Sequence, residues 1–145
     1  MTPGDPVQTS SRQAERWTPP CGDNIEMVEV GSHWDAVRAP VEIGERALEL
    51  LGGATGAVIA DYAQMYWLIP LRSAQYWRRL PAVQALGAAS TSYIGVPPIG
   101  HTSGPVLHWR VPLGPGRYLT DSPLLRGALA QAVAAELGPD REVGR

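Results

Sequence analysis

The segment Val106-Leu107-His108-Trp109-Arg110-Val111 holds the side chains best suited to chemistry. A period of two places Leu107, Trp109 and Val111 on one face of a strand and Val106, His108 and Arg110 on the other. The first face reads as core. On the second, an imidazole beside a guanidinium lies near the loop that carries His101, Ser103 and Gly104, a donor set suited to a phosphate or a carboxylate. The same residues also read as ordinary solvated side chains on an open sheet face, and spacing alone leaves both readings standing. Arg78 and Arg79, with Arg72 and Arg117, extend the first reading into a wider anion-binding surface.

Other chemistries have less to work with. Asp61 ends an apolar run and opens a turn, where a carboxylate either caps the backbone or holds a divalent metal. Magnesium at a phosphoryl-transfer site needs one or two carboxylates together with substrate phosphates, and residues 62–72 supply no second acid. Asp121 is explained by the start of a helix. Cys21 sits in a proline-rich arm with no histidine placed beside it by pattern, which argues against nucleophilic catalysis. His33 and Asp35 could pair, but Trp34 between them reads as a packing anchor. The chain has no lysine, and Gly52-Gly53-Ala54-Thr55-Gly56 precedes a strand, so neither a Walker loop nor a dinucleotide fingerprint is present.

These residues sit in a chain of 145, enough for one core and too short for two. Hydrophobic residues make up 44% and charged residues 18%, which excludes wholesale disorder, and 16 glycines with 14 prolines imply many turns. A single cysteine excludes an internal disulfide and a thiolate zinc cage. No apolar stretch matches a membrane span and the N-terminus has no basic-then-apolar signal, so the expectation is a cytoplasmic protein with no membrane partner. The net charge of −2 hides an asymmetry: residues 1–61 carry −6 and residues 62–138 carry +4. Every positive side chain is an arginine, which suits phosphate recognition but also follows from the coding bias of a GC-rich gene. With a pI near 5.9, any nucleic-acid contact has to be local rather than driven by net charge.

The elements that must position these groups follow from periodicity. Residues 1–24 read as a flexible Pro-rich arm that docks, if at all, through Trp17; residues 25–138 form a single domain, and residues 139–145 a flexible tail. Strands are expected at 25–30, 57–60, 65–69, 92–96 and 106–111, with an edge strand at 117–119. GSHWDAVRAP, residues 31–40, reads as a loop. Helices are expected from Pro40 to Gly52, where Ile43, Ala47, Leu50 and Leu51 share a face; from Ser73 through Leu80; and from the cap at Asp121 or Ser122 to Gly138. The fold class is α+β, with a mixed or antiparallel sheet of about five strands and two long helices and one short helix packed mainly on one face.

The stretch STSYIGVPPIGHTSGPVLHWRVP, residues 90–112, is similar to the part of the bifunctional primase/polymerase (prim-pol) family in which a strand runs into a Pro-Pro loop, a histidine, a Ser-Gly pair and an aromatic-bearing strand. GAVIADYAQMYWLIP resembles the strand and turn carrying that family's first metal-binding acid. Together with SHWDAV and YLTDSPLL, the arrangement resembles short prim-pol-like proteins of actinobacteria such as Streptomyces, over residues from about 31 to 135. The resemblance places Asp61 at the first metal acid, Ala63 where the second would stand, and the neutral ALGAAST where the third is expected. It therefore implies a scaffold that has lost polymerisation, because two-metal catalysis depends on those carboxylates. The expected function is a non-catalytic binding or regulatory module that engages a partner protein, a nucleotide or nucleic acid and needs no cofactor. The alternatives are a residual nucleotide-processing enzyme using Mg or Mn, with Asp61, His101 and His108 around one metal, and a self-associating homo-oligomer using Trp67, Trp77 or Tyr76.

Overall fold

A computed structural model describes residues 17–104, 106–114 and 117–138. Seven strands and two helices follow the order β1 (Glu26–Glu29), β2 (Asp35–Pro40), α1 (Val41–Leu51), β3 (Val58–Asp61), β4 (Gln64–Ile69), β5 (Gln84–Leu86), β6 (Tyr93–Val96), β7 (His108–Val111) and α2 (Ser122–Leu137). Single 3-10 turns lie at Gly52–Ala54, Ser73–Tyr76 and Ala88–Ser90. The fold is α+β. Five strands form an antiparallel sheet in the order β5-β2-β4-β3-β7, and β1 pairs with β6 in a separate antiparallel ribbon.

Strand alternation divides the core between the two faces of the sheet. On one face Val37, Ala39, Val58, Ala60, Met65 and Trp67 pack against Ile43, Ala47 and Leu51 of α1 and Leu125, Ala128, Leu129, Ala132 and Val133 of α2. On the other, Ala36, Ile59, Leu68 and Trp109 meet Val28, Ile94 and Val96 of the ribbon. The register keeps like with like: Val37 is paired with Trp67 and Ala36 with Leu68. The molecule is thus three layers deep, with helices, sheet and ribbon in that order.

The helices follow their sequence signals. In α1 the buried face is Ile43, Ala47 and Leu51, at i, i+4 and i+8, while Leu50 turns half outward. Gly44 lets this helix lie close on the sheet, since a Cβ there would come within 2.6 Å of the Met65 sulfur. In α2 the Asp121 carboxylate accepts from the Leu124 N–H at 3.0 Å, a cap on one of the free donors of the first turn. Arg46 donates to Glu136 at 2.9 Å and ties the helices together. Neither helix is long and apolar enough to cross a membrane, and this holds for all the described residues.

Several expectations give way to the structure. Residues 35–40 are not loop but β2, next to the centre of the sheet. The strand is hidden in the sequence because both its faces are covered, so the polar alternation that marks a half-buried strand is missing, and because Pro40 ends it. The helix expected over residues 73–80 is one turn, Ser73–Tyr76: Trp77 takes extended backbone and its indole N–H donates to Ser122 Oγ at 2.6 Å. β5 was not foreseen. Residues 117–119 form no strand, only a single bridge between Gly114 and Arg117. In β7, Ile59 pairs with Trp109 but Val58 with Val111, leaving Arg110 as an extra residue. This bulge sends Trp109 to the ribbon side and Val111 to the helix side, against the strict period of two.

Residues 1–16 of the expected arm, and the expected tail at 139–145, lie outside the described residues. Trp17 stacks on Tyr118 with ring centroids 6.1 Å apart and meets Trp34 edge-on at 5.4 Å, while residues 21–27 are exposed. Pro19 is buried and the Pro20 carbonyl accepts from Ile99 N–H at 2.8 Å.

Candidate functional site

The bulge decides the fate of the first candidate site. It turns Arg110 toward α1, where Nε and Nη2 donate to the two carboxylate oxygens of Glu45 at 2.8 and 2.7 Å. This is the fork-to-fork geometry of an arginine–carboxylate pair. The hydrogen bonds from Arg110 hold the Glu45 carboxyl below its ordinary pKa. Arg110 is thus paired with an internal anion, and both side chains of the pair remain partly exposed. Its partner lies 65 residues away, on a helix whose orientation strand periodicity cannot give.

His108 is half-buried, and its Nδ1 lies 2.7 Å from the Val106 carbonyl, so Nδ1 carries the proton and donates. His101, Ser103 and Gly104 are exposed in the loop before β7, with Gly104 at φ +113°. That loop is anchored through its backbone: Trp109 N–H donates to the His101 carbonyl at 2.7 Å, and His101 N–H to Pro98 at 2.9 Å. The fold thus brings His101 and His108 to one corner, but no side-chain hydrogen bond joins the four residues there. Asp61 ends β3, half-buried, paired with Gln64 across a two-residue turn whose Tyr62 has φ +56°. Among the described residues no three histidine, cysteine, aspartate or glutamate side chains are grouped closely enough to hold a metal. His33 and Asp35 do not pair. The His33 ring lies against Trp17 at 6.1 Å, while Asp35 is buried and accepts from Ala74 N–H at 3.0 Å. Burial raises the pKa of Asp35, partly offset by backbone hydrogen bonds from Ala74 and Arg72 and by the Arg72 charge.

Arg78 and Arg79 stand apart from the His101–His108 corner. They belong to the segment from Leu71 to Leu80, whose Ala74, Trp77 and Leu80 are packed against the helix-side core. The two side chains are exposed, and their carbonyls accept from Arg126 of α2, from Nε at 3.2 Å and Nη2 at 3.3 Å. Arg126 thus braces the backbone of the segment, which also carries Arg72, at φ +70°. Tyr76 projects from the middle of this segment with 79% of its surface open. No acid occurs between residues 62 and 120, so nothing on the segment itself neutralises it. Arg126 escaped sequence reading because it sits in a helix otherwise legible as core, and its contact lies 47 and 48 residues away. Arg117 lies elsewhere, at the turn after β7.

Three buried polar groups lie elsewhere in the core. Burial pushes the Tyr118 hydroxyl up to about 12. That hydroxyl and the indole N–H groups of Trp34 and Trp67 have no hydrogen-bond partner among the described residues. No protein-family model, no curated protein and no solved structure matches the chain.

Proposed function

We propose that this chain is a non-catalytic, prim-pol-like binding module that acts in the cytoplasm and takes a phosphate-bearing ligand, single-stranded nucleic acid or a nucleotide, on the Leu71–Leu80 segment. The observation that carries this reading is that Arg72, Tyr76, Arg78 and Arg79 are all exposed on one short stretch without acids, whose backbone is held by Arg126. Arginine forks recognise phosphate oxygens, and an exposed aromatic gives a base a surface to stack on; together they are the elements of a single-strand site. The acidic half of the chain keeps the long-range field weak, so recognition is short-ranged and salt-sensitive. His101, Ser103, Gly104 and His108 lie outside this surface and Arg110 is paired with Glu45. The proposed ligand set is Arg72, Arg78 and Arg79 with Tyr76, on a segment whose backbone Arg126 holds.

A thermal melt tests the reading. A ligand that binds only the folded chain raises the melting temperature as its concentration passes the dissociation constant. A short oligothymidylate, or a nucleoside triphosphate, should raise the midpoint of the native protein and leave Arg78→Ala/Arg79→Ala unmoved. A midpoint unchanged by either ligand contradicts the proposal.

A further inference from the structure

The outer face of the β1–β6 ribbon carries an exposed apolar patch. Its inner residues Val28, Ile94 and Val96 are buried, while Met27 (61% exposed), Tyr93 (58%) and, just before β1, Ile25 (51%) stand open on the other side. They surround Gly95, which is paired with Met27. A Cβ at Gly95 would lie 3.1 Å from Leu107 Cδ2 and 3.4 Å from Ile25 Cγ2, so the side chains of Leu107 and Ile25 converge over the bare backbone. Contiguous exposed apolar surface of this kind marks an interaction site.

Charge decides what fits. Between residues 17 and 37 every charged side chain is an acid, and Asp23, Glu26 and Glu29 are exposed, Glu29 directly opposite Tyr93. Residues 80–109 contain no aspartate, glutamate, lysine or arginine. The occupant must therefore combine apolar side chains with positive ones. A second ribbon laid face to face would set acids against acids, at a cost. One surface of the same chain does have the needed chemistry: the segment from Leu71 to Arg79, with Leu71 and Tyr76 exposed between Arg72, Arg78 and Arg79.

We propose that the outer face of the β1–β6 ribbon docks the Leu71–Arg79 segment of a second copy of this chain, head to tail. The two surfaces lie on opposite sides of the five-stranded sheet, the segment packed on the helix-side core and the ribbon on the other. A single chain cannot close this contact on itself, so the interface is heterologous and joins successive copies into a ring or an open chain. The inference goes beyond the phosphate reading and stands on the charge and exposure of the segment, whatever anion it takes.

Sedimentation velocity over a concentration series gives the test. The protein should pass from 15.6 kDa to a ladder of multiples as concentration rises, with association weakened about tenfold or more between low and high salt, as expected for charge-complementary surfaces. Met27→Asp/Tyr93→Asp removes the ribbon surface and Arg78→Glu/Arg79→Glu the segment surface. These side chains are exposed, and Arg126 is held by backbone carbonyls that the second pair leaves in place, so both variants should keep native circular dichroism. Each alone should be monomeric, and an equimolar mixture should form a 1:1 dimer that grows no further, from the intact segment of one and the intact ribbon of the other. A wild-type monomer up to about 1 mM, where even weak contacts are populated, overturns the proposal. So does either folded variant that assembles like wild type, or a mixture of folded variants that stays monomeric.

Discussion

Replacing Arg110 separates the two roles that sequence and structure assign to it. Arg110→Ala removes a bidentate pair with Glu45 at 2.7 and 2.8 Å, but the two side chains are 43% and 44% exposed, so water screens the attraction. Exposed pairs contribute about 0.2–1 kcal/mol, and the good geometry here places the loss near the upper end, about 1 kcal/mol. In a domain of this size that lowers the melting temperature by roughly 2–8 °C. The dependence on pH carries a sign. Glu45 has a folded pKa below its ordinary value of 4.5, so its contribution is present above that pH and disappears as pH falls through the lowered value. The difference between wild type and Arg110→Ala, measured by urea unfolding from pH 7 down to pH 3, should therefore shrink toward zero at the acid end. Oligothymidylate affinity at pH 7 should be unchanged within about twofold, since a paired arginine adds little to the field. A pH-independent loss of stability, or a tenfold loss of oligonucleotide affinity, would refute the assignment of Arg110 to Glu45.

Two further substitutions probe the frame. Asp35 has a raised folded pKa, chiefly from burial, so the folded chain binds its proton more tightly than the unfolded chain does; stability falls as pH rises from the ordinary value of 3.8 through the folded one. Asp35→Asn, whose amide oxygen can still accept from Ala74 N–H, should flatten that slope and be no less stable than wild type at pH 7; marked destabilisation there in urea unfolding would mean that the charge is needed. Gly44→Ala places a methyl 2.6 Å from the buried Met65 sulfur and should cost about 1–3 kcal/mol as Met65 is displaced, whereas helix propensity alone predicts a gain. A rise in melting temperature would show that α1 has room to move off the sheet.

How much the sequence revealed depends on how far each contact reaches along the chain. The helices were legible because Ile43, Ala47 and Leu51, and Leu125, Ala128, Leu129, Ala132 and Val133, repeat at helical spacing, and because Asp121 is a good cap. The β3–β4 hairpin was legible as two apolar runs joined at a turn. β2 was not, because Trp34, Ala36 and Val37 are enclosed from both sides, where no polar alternation survives. Trp67, offered as an interface aromatic, is wholly buried, and Trp77 is half-buried with its N–H given to Ser122; of the three, only Tyr76 is open. The candidate site was legible by residue type and not by assembly. Arg78 and Arg79 could be named from the sequence, but their separation from His101 and His108, the bracing of their backbone by Arg126 and the pairing of Arg110 with Glu45 each depend on contacts made across the fold.

The central claim, that Arg72, Arg78 and Arg79 form a phosphate-binding surface, is tested most directly by the salt dependence of oligothymidylate binding, read by fluorescence anisotropy. Each phosphate neutralised on a single strand contributes about 0.7 to the slope of log affinity against log salt. Wild type should bind with a slope of roughly −1.4 to −2.8, for two to four contacts, and Arg78→Ala/Arg79→Ala should reduce its magnitude by about 1.4. The same slope and affinity in both proteins, or no binding at low salt, would contradict the account.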